Sequence, residues 1–248
     1  MFIKVRDAMK VNVLGSSSKG NCYLLDSGDE VLIVEAGVRF SEVKKALAFN
    51  LRRVVGCLVS HEHNDHAKYI KNVVESGIRT LALGDVWRSK GITHGAYTVD
   101  LDYERTYRFG GFRVKAFPAC HDVPCAGFFI EHPDSGRILF LTDSCSCDYV
   151  FPKLRYVMLE CNYSYECLYR AISEGRTRSS QEERLMLSHM ELASCTSYLE
   201  SLDLSEVEGI VLLHLSDQNS DERAFVRQVS AATGKYVCAA RPGMVMEL

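Results

Sequence analysis

Residues 57–70 read CLVSHEHNDHAKYI, and this stretch decides the fold. The apolar run from Val54 to Ser60 has the length and β-branched content of a strand buried on both faces. A helix is expected over Ala67–Ser76, ending at Gly77. The polar residues His61, Glu62, His63, Asn64, Asp65 and His66 therefore form the link between strand and helix. In an extended segment side chains alternate, so His61 and His63 point to one side. Asp65 and His66 fall on the first helical turn and can face a neighbouring point. Two imidazoles can serve one cation, and a carboxylate with a third imidazole can serve a second. Packing gives no reason to place three histidines and an aspartate here. Glu62 and Asn64 lie between the ligands and are expected to point away.

Outward from this link, the N-terminal stretch MFIKVRDAMKVNVLG reads as a first strand, with charges among its apolar residues and no apolar block of a signal peptide. Strands are predicted at Val11–Leu14, Cys22–Asp26 and Val31–Glu35, then a helix from Ser41 to Phe49. Thr80–Leu83, Tyr97–Val99, Phe112–Pro118, Ala126–Glu131 and Arg137–Thr142 continue as strands. Past Tyr156–Glu160, helices are expected at Ser164–Glu174 and roughly Ser180–Leu202. A strand at Val207–Leu215 and a helix capped by Ser220 follow. Helices fall between groups of strands instead of after every strand. That pattern favours an α/β αββα sandwich, two mixed β-sheets flanked by helices, within a single domain spanning residues 1–248.

The composition is that of a globular chain, 47% hydrophobic and 25% charged, long enough to bury a sizeable core. No run approaches a membrane span. A net charge of −3 removes any global attraction for polyanions, so contact with nucleic acid must come from local patches and bound cations. The ten cysteines show no paired CxxC spacing, and Cys145-Ser-Cys147 is the one close pair. They read as reduced thiols of a cytoplasmic protein.

His-x-His-x-Asp-His after a hydrophobic strand resembles the signature of the metallo-β-lactamase superfamily. That family adds a histidine, an aspartate after a strand, and a late histidine at a strand end. This chain offers His121 after FRVKAFPAC, Asp143 after RILFLT and His214 after GIVLL. The resemblance implies that His61, His63 and His121 bind one divalent metal ion. Asp65, His66 and His214 would bind the other, with Asp143 bridging. Zinc or manganese is expected, and iron fits the same donors.

More narrowly, GSSSKGNCYLL, the Glu160-Cys-Asn162 element, LSHMELA around His189 and HLSDQNSDE resemble the YycJ/WalJ-like branch of exonuclease-type metallohydrolases. This implies a cytoplasmic phosphodiesterase acting 5′-to-3′ on DNA. Two cations can generate a hydroxide nucleophile at neutral pH and neutralise the oxygens of the scissile phosphate. The chain departs from the branch at Glu35, where an aspartate is usual, and at Tyr163 and Ser164, which stand for His and Asp.

Asp65, His189 and Asn162 are the candidates for a direct part in catalysis. His189 would contact a phosphate or protonate the leaving oxygen; a helix-capping or surface histidine is the competing reading. Ser17, Ser18, Lys19 and Asn21 offer a substrate-binding loop, or equally a polar hairpin turn. Arg170, Arg176, Arg178 and Arg184 would line a polyanion path, or a solvated helix face balanced by Glu174, Glu182 and Glu183. His94 and His132 read as surface residues. The same core could instead serve a small-molecule hydrolase of cyclic nucleotides, lactones or thioesters. Other classes are a di-iron oxidoreductase and a non-catalytic metal-stabilised binding protein. The interval from Asp143 to His214 leaves little room for an inserted lid domain.

Overall fold

The computed structural model describes residues 8–248. The part of the expected first strand that falls on residues 1–7 lies outside them. Among the described residues, two seven-stranded mixed sheets pack face to face with helices outside, as the strand grouping predicts.

In the first sheet β1 (Lys10–Gly15), β2 (Cys22–Asp26) and β3 (Val31–Val34) form an antiparallel meander. β4 (Val54–Leu58), β5 (Thr80–Ala82) and β6 (Thr98–Asp100) then add in parallel. The second sheet runs antiparallel through β7 (Thr106–Phe109), β8 (Phe112–Ala119), β9 (Cys125–His132) and β10 (Gly136–Leu141). It turns parallel through β11 (Tyr156–Glu160), β12 (Gly209–Leu213) and β13 (Tyr236–Ala239). β14 (Val245–Glu247) returns to pair with β1.

The period of two in a strand explains the layering. Ile138 and Phe140 of β10, Met158 of β11, and Val211 and Leu213 of β12 enter the core between the sheets. Their neighbours Leu139, Leu141, Val157, Leu159, Ile210 and Leu212 face a second core. That core is closed by α7 (Leu192–Ser201) and α8 (Glu222–Thr233). Strands buried on both faces have no polar alternation, hence runs such as GIVLL. The first half of β8 has one covered face, so Arg113 and Lys115 alternate outward with the buried Phe112 and Val114, until Phe117 on the outer face enters the second core.

Several boundaries differ from the sequence expectation. α1 (Phe40–Ala46) stops early because Ala48 and Phe49 adopt left-handed backbone, with φ of 47° and 62°. The helix expected over Ala67–Ser76 is two short pieces, α2 (Asn64–Ala67) and α3 (Ile70–Glu75). α4 (Gly84–Ser89), β7, β13 and β14 were not anticipated. α5 (Tyr165–Ser173) is capped by Ser164, whose side chain accepts from the Cys167 amide. The expected Ser180–Leu202 helix breaks into α6 (Glu182–Ser188) and α7, because His189 is extended and Glu191 caps α7 through the Ala193 and Ser194 amides. The cap of α8 is Asp221, not Ser220, its carboxylate accepting from the Ala224 amide. His132 is a buried structural residue and not a surface one. Its Nε2 sits 3.0 Å from Glu30 and its ring lies against Phe112.

No helix among the described residues is long and apolar enough to cross a membrane. All ten cysteines are free thiols. Five are buried, but Cys120 is exposed.

Candidate metal centre

Both sheets deliver polar residues to one place. Parallel pairing of β10, β11 and β12 sets Leu141 beside Leu159, and Glu160 beside Leu213. Asp143, Glu160 and His214 consequently emerge side by side at the carboxyl ends of neighbouring strands. From the other sheet, the segment after β4 brings His61, His63, Asp65 and His66, while His121 comes from the end of β8 in the same sheet as Asp143. Three residues here hold left-handed backbone without being glycine: Glu35 (φ 70°), Asp143 (φ 47°) and His214 (φ 52°). Each such conformation costs roughly 1–3 kcal/mol and persists only where its surroundings enforce it.

The 61–66 segment is fastened by backbone. The Asn21 amide donates to the Asp65 carbonyl (2.7 Å) and the Ala36 amide to the His66 carbonyl (2.7 Å). Gly37 makes this approach possible, since a Cβ there would lie 1.6 Å from the Asp65 carbonyl oxygen. Glu35 braces the same segment. Its carboxylate accepts from the Ser60 amide at 3.3 Å and faces His66 Nδ1 at 3.5 Å, so the longer side chain still reaches where an aspartate was expected.

Two donor groups result. His61, His63 and His121 bring one ring nitrogen each within 4.8 Å of one another, and so do the donor atoms of Asp65, His66, Asp143 and His214. Asp143 faces both. Its Oδ2 lies 3.9 Å from His61 Nε2 and 4.0 Å from His121 Nε2. Its Oδ1 lies 3.2 Å from His66 Nε2 and 2.7 Å from His214 Nδ1.

The donor chemistry fits divalent cations. His61 Nε2 is buried and has no hydrogen-bond partner among the described residues. His121 Nδ1 is tied to the Ser188 carbonyl (2.8 Å), leaving Nε2 to face His63 Nδ1 across 3.2 Å. Two ring nitrogens converging this way suit a shared cation. Burial lowers the His61 and His121 pKa values, favouring the neutral rings that metals bind. Burial alone would raise that of Asp143, but His214 and His66 hold the carboxylate well below its usual range.

A third group, Asp143, Glu160, His189 and His214, adds a carboxylate whose role was not read from the sequence. Glu160 is fully buried. It accepts from the Ser144 amide (2.9 Å) and the Met190 amide (3.1 Å), and it lies 2.7 Å from His189 Nδ1. Its signal was present in YVMLE, an apolar strand ending on an acid. Burial would lower the His189 pKa, but Glu160 and Asp143 raise it above the ordinary imidazole value.

The groups open into a cavity of about 580 Å³ lined by residues that include His63, Asp65, His121, Asp143, His189 and His214. Its remaining wall includes Ser18, Ser180, Gln181, Arg184 and Ser216. Asn162 also lines it, and its Nδ2 donates to the His214 carbonyl at 2.7 Å. Of the expected substrate loop, Ser18 reaches this wall. Lys19 is paired with Asp217 (2.6 Å), and Ser17 stabilises its own turn. Asn21 is fully buried with its amide 2.9 Å from His66 Nε2, which makes it a brace of the ligand segment. Of the four arginines, Arg184 faces the cavity, 3.5 Å from Asp122, while Arg170 and Arg176 pair with Glu166 and Glu174. Asp122, also unanticipated, lies 3.1 Å from His121 Nε2 and 3.4 Å from His63 Nε2.

The model of the metallo-beta-lactamase superfamily matches residues 17–143. Exodeoxyribonuclease YycJ of Bacillus anthracis is 26% identical over 231 residues, covering 86% of this chain and 85% of its own. Exodeoxyribonuclease WalJ of Streptococcus pneumoniae is 24% identical over 230 residues, covering 85% and 83%. Among solved structures, the metallo-beta-lactamase fold protein YhfI from Bacillus subtilis superposes with a TM-score of 0.74 at 19% identity, covering 97% of this chain and 100% of that one.

Proposed function

Because this chain belongs to the metallo-beta-lactamase superfamily of metallohydrolases, we propose that it is a dinuclear phosphodiesterase that degrades DNA from the 5′ end. The observation that carries the reading is the single Asp143 carboxylate set between two separate imidazole-rich groups at the floor of one cavity. His61, His63 and His121 would hold one cation, Asp65, His66 and His214 the other, and Asp143 both. When bound, such a pair supplies a hydroxide nucleophile at neutral pH and positive charge for the non-bridging and leaving oxygens of a phosphodiester.

The chain's own residues do the rest. Glu160 holds the His189 ring through Nδ1, and the ring lines the cavity. His189 is thereby placed to protonate a leaving alkoxide. Asn162 sets the backbone of His214 and acts by positioning. Ser18, Gln181 and Arg184 present hydroxyl, amide and guanidinium donors to a phosphate in the cavity. A volume of about 580 Å³ is large enough to admit a nucleotide unit. The names of the YycJ and WalJ relatives favour DNA. Ten free thiols suit a reducing, cytoplasmic setting, and residues 1–248 read as one domain.

The test is incubation of zinc- or manganese-loaded protein with end-labelled single- and double-stranded DNA and RNA, beside bis-p-nitrophenyl phosphate. Stepwise loss of nucleotides from the DNA 5′ end is expected. Turnover of lactones or thioesters with intact DNA would move the protein to the small-molecule hydrolases. Redox turnover with iron would place it among oxidoreductases, and metal without any turnover among binding proteins.

A further inference from the structure

Two cysteines flank the ligand-bearing segments. Cys120 immediately precedes His121, and Cys145 follows Asp143 by two residues. Their Sγ atoms lie 2.9 Å apart. That is closer than two sulfurs rest without bonding, and about 0.9 Å beyond a disulfide's ~2.04 Å. The backbone already holds the segments together. The Cys145 amide donates to the Cys120 carbonyl (2.9 Å), and the Cys120 amide donates to the Ser144 hydroxyl (2.9 Å). The two sulfurs have about 0.9 Å left to close. Cys120 is exposed and Cys145 partly so, whereas Cys161 and Cys195, in contact in the second core, are buried. An oxidant in solution can reach the first pair and not the second.

We propose that Cys120 and Cys145 form a reversible disulfide that clasps the His121 segment to the Asp143 segment. The reaction is exchange with a low-molecular-weight disulfide such as oxidised glutathione. The Cys120 sulfur attacks one glutathione sulfur, and the S–S bond breaks to release one glutathione thiolate. The Cys145 sulfur then attacks Cys120, forming the internal bond and releasing the second. The two cysteine protons end on the two glutathione thiols. The protein loses two electrons, and the glutathione disulfide gains them. The bond itself does not depend on the hydrolase reading; its consequence, tighter retention of cations by His121 and Asp143, rests on it.

Reduced protein, with and without zinc, is treated with oxidised glutathione, trapped with N-ethylmaleimide, digested and analysed by mass spectrometry. A peptide joining Cys120 to Cys145 is expected, lost on treatment with dithiothreitol and absent in Cys120→Ser and Cys145→Ser. Cys145→Ser should instead accumulate a glutathione adduct on Cys120. A stable adduct in the unsubstituted protein without the internal bond, or a bond to another cysteine, would overturn the proposal. Zinc release to a chelator should be several-fold slower from the oxidised protein. Equal rates before and after oxidation would refute the clasp while leaving the bond itself intact.

Discussion

Replacing His189 by alanine separates acid catalysis from the rest of the site. The ring touches Glu160 through Nδ1 at 2.7 Å, lies 3.9 Å from the Asp143 carboxylate and packs against the His121 and His214 rings, whereas His61 and His63 carry no such contact with it, so metal content is followed alongside activity. A positioned general acid contributes about 10²–10⁴-fold, or roughly 3–6 kcal/mol at about 1.4 kcal/mol per tenfold. That contribution exists only when the leaving group needs a proton. A deoxyribose alkoxide does, and p-nitrophenolate does not. His189→Ala should therefore lower kcat on DNA by about 10²–10⁴-fold while changing kcat on bis-p-nitrophenyl phosphate by less than about tenfold. Glu160→Gln should show the same leaving-group dependence at smaller size, because the ring stays but loses its anionic partner. Steady-state kinetics on both substrates, with metal content measured for each variant, gives the result. An equal loss on the two substrates would refute the assignment and return His189 to a structural role.

His63→Ala should abolish hydrolysis and leave thermal stability within about 1 kcal/mol, since the side chain is partly exposed; circular dichroism and turnover check both. Asp143→Asn keeps shape and tolerates the left-handed backbone, so it should fold yet lose activity through loss of charge, and wild-type turnover would contradict the bridging role. Gly37→Ala drives a Cβ into the Asp65 carbonyl and should cost about 1–3 kcal/mol, together with metal affinity, in thermal melts and metal titration. Saturating zinc at about 100 times its Kd should stabilise the fold by roughly 2.7 kcal/mol, about 5–11 °C in Tm for a chain of this size, and excess chelator should reverse it.

Much of the site was legible because chemistry and packing disagree there. Histidines and acids closing the apolar strands β4, β8, β10 and β12 have no packing reason to be there, so His61, His121, Asp143 and His214 stand out. Glu160 carries the same signature, but a lone acid at a strand end is a weaker signal than a histidine cluster. Asn21 looked like a loop donor. Its burial against His66 is set by the close approach of Gly37 to the Asp65 backbone, which local sequence does not encode. The sandwich followed from strand grouping, yet β13 and β14 did not. Tyr236 and Val245 are exposed, and such edge strands are defined by the partner they pair with. The break at His189 escaped periodicity because α6 and α7 are separated by a cap and a single bridge from Glu191 to Tyr163.

The most direct test of the central claim is elemental analysis of reconstituted protein after removal of free metal. Two divalent cations per chain are predicted for the unsubstituted protein. The number should fall in His121→Ala and His214→Ala, and hydrolysis should fall with it. A chain that retains no metal, or two variants that keep the full complement, would contradict the account.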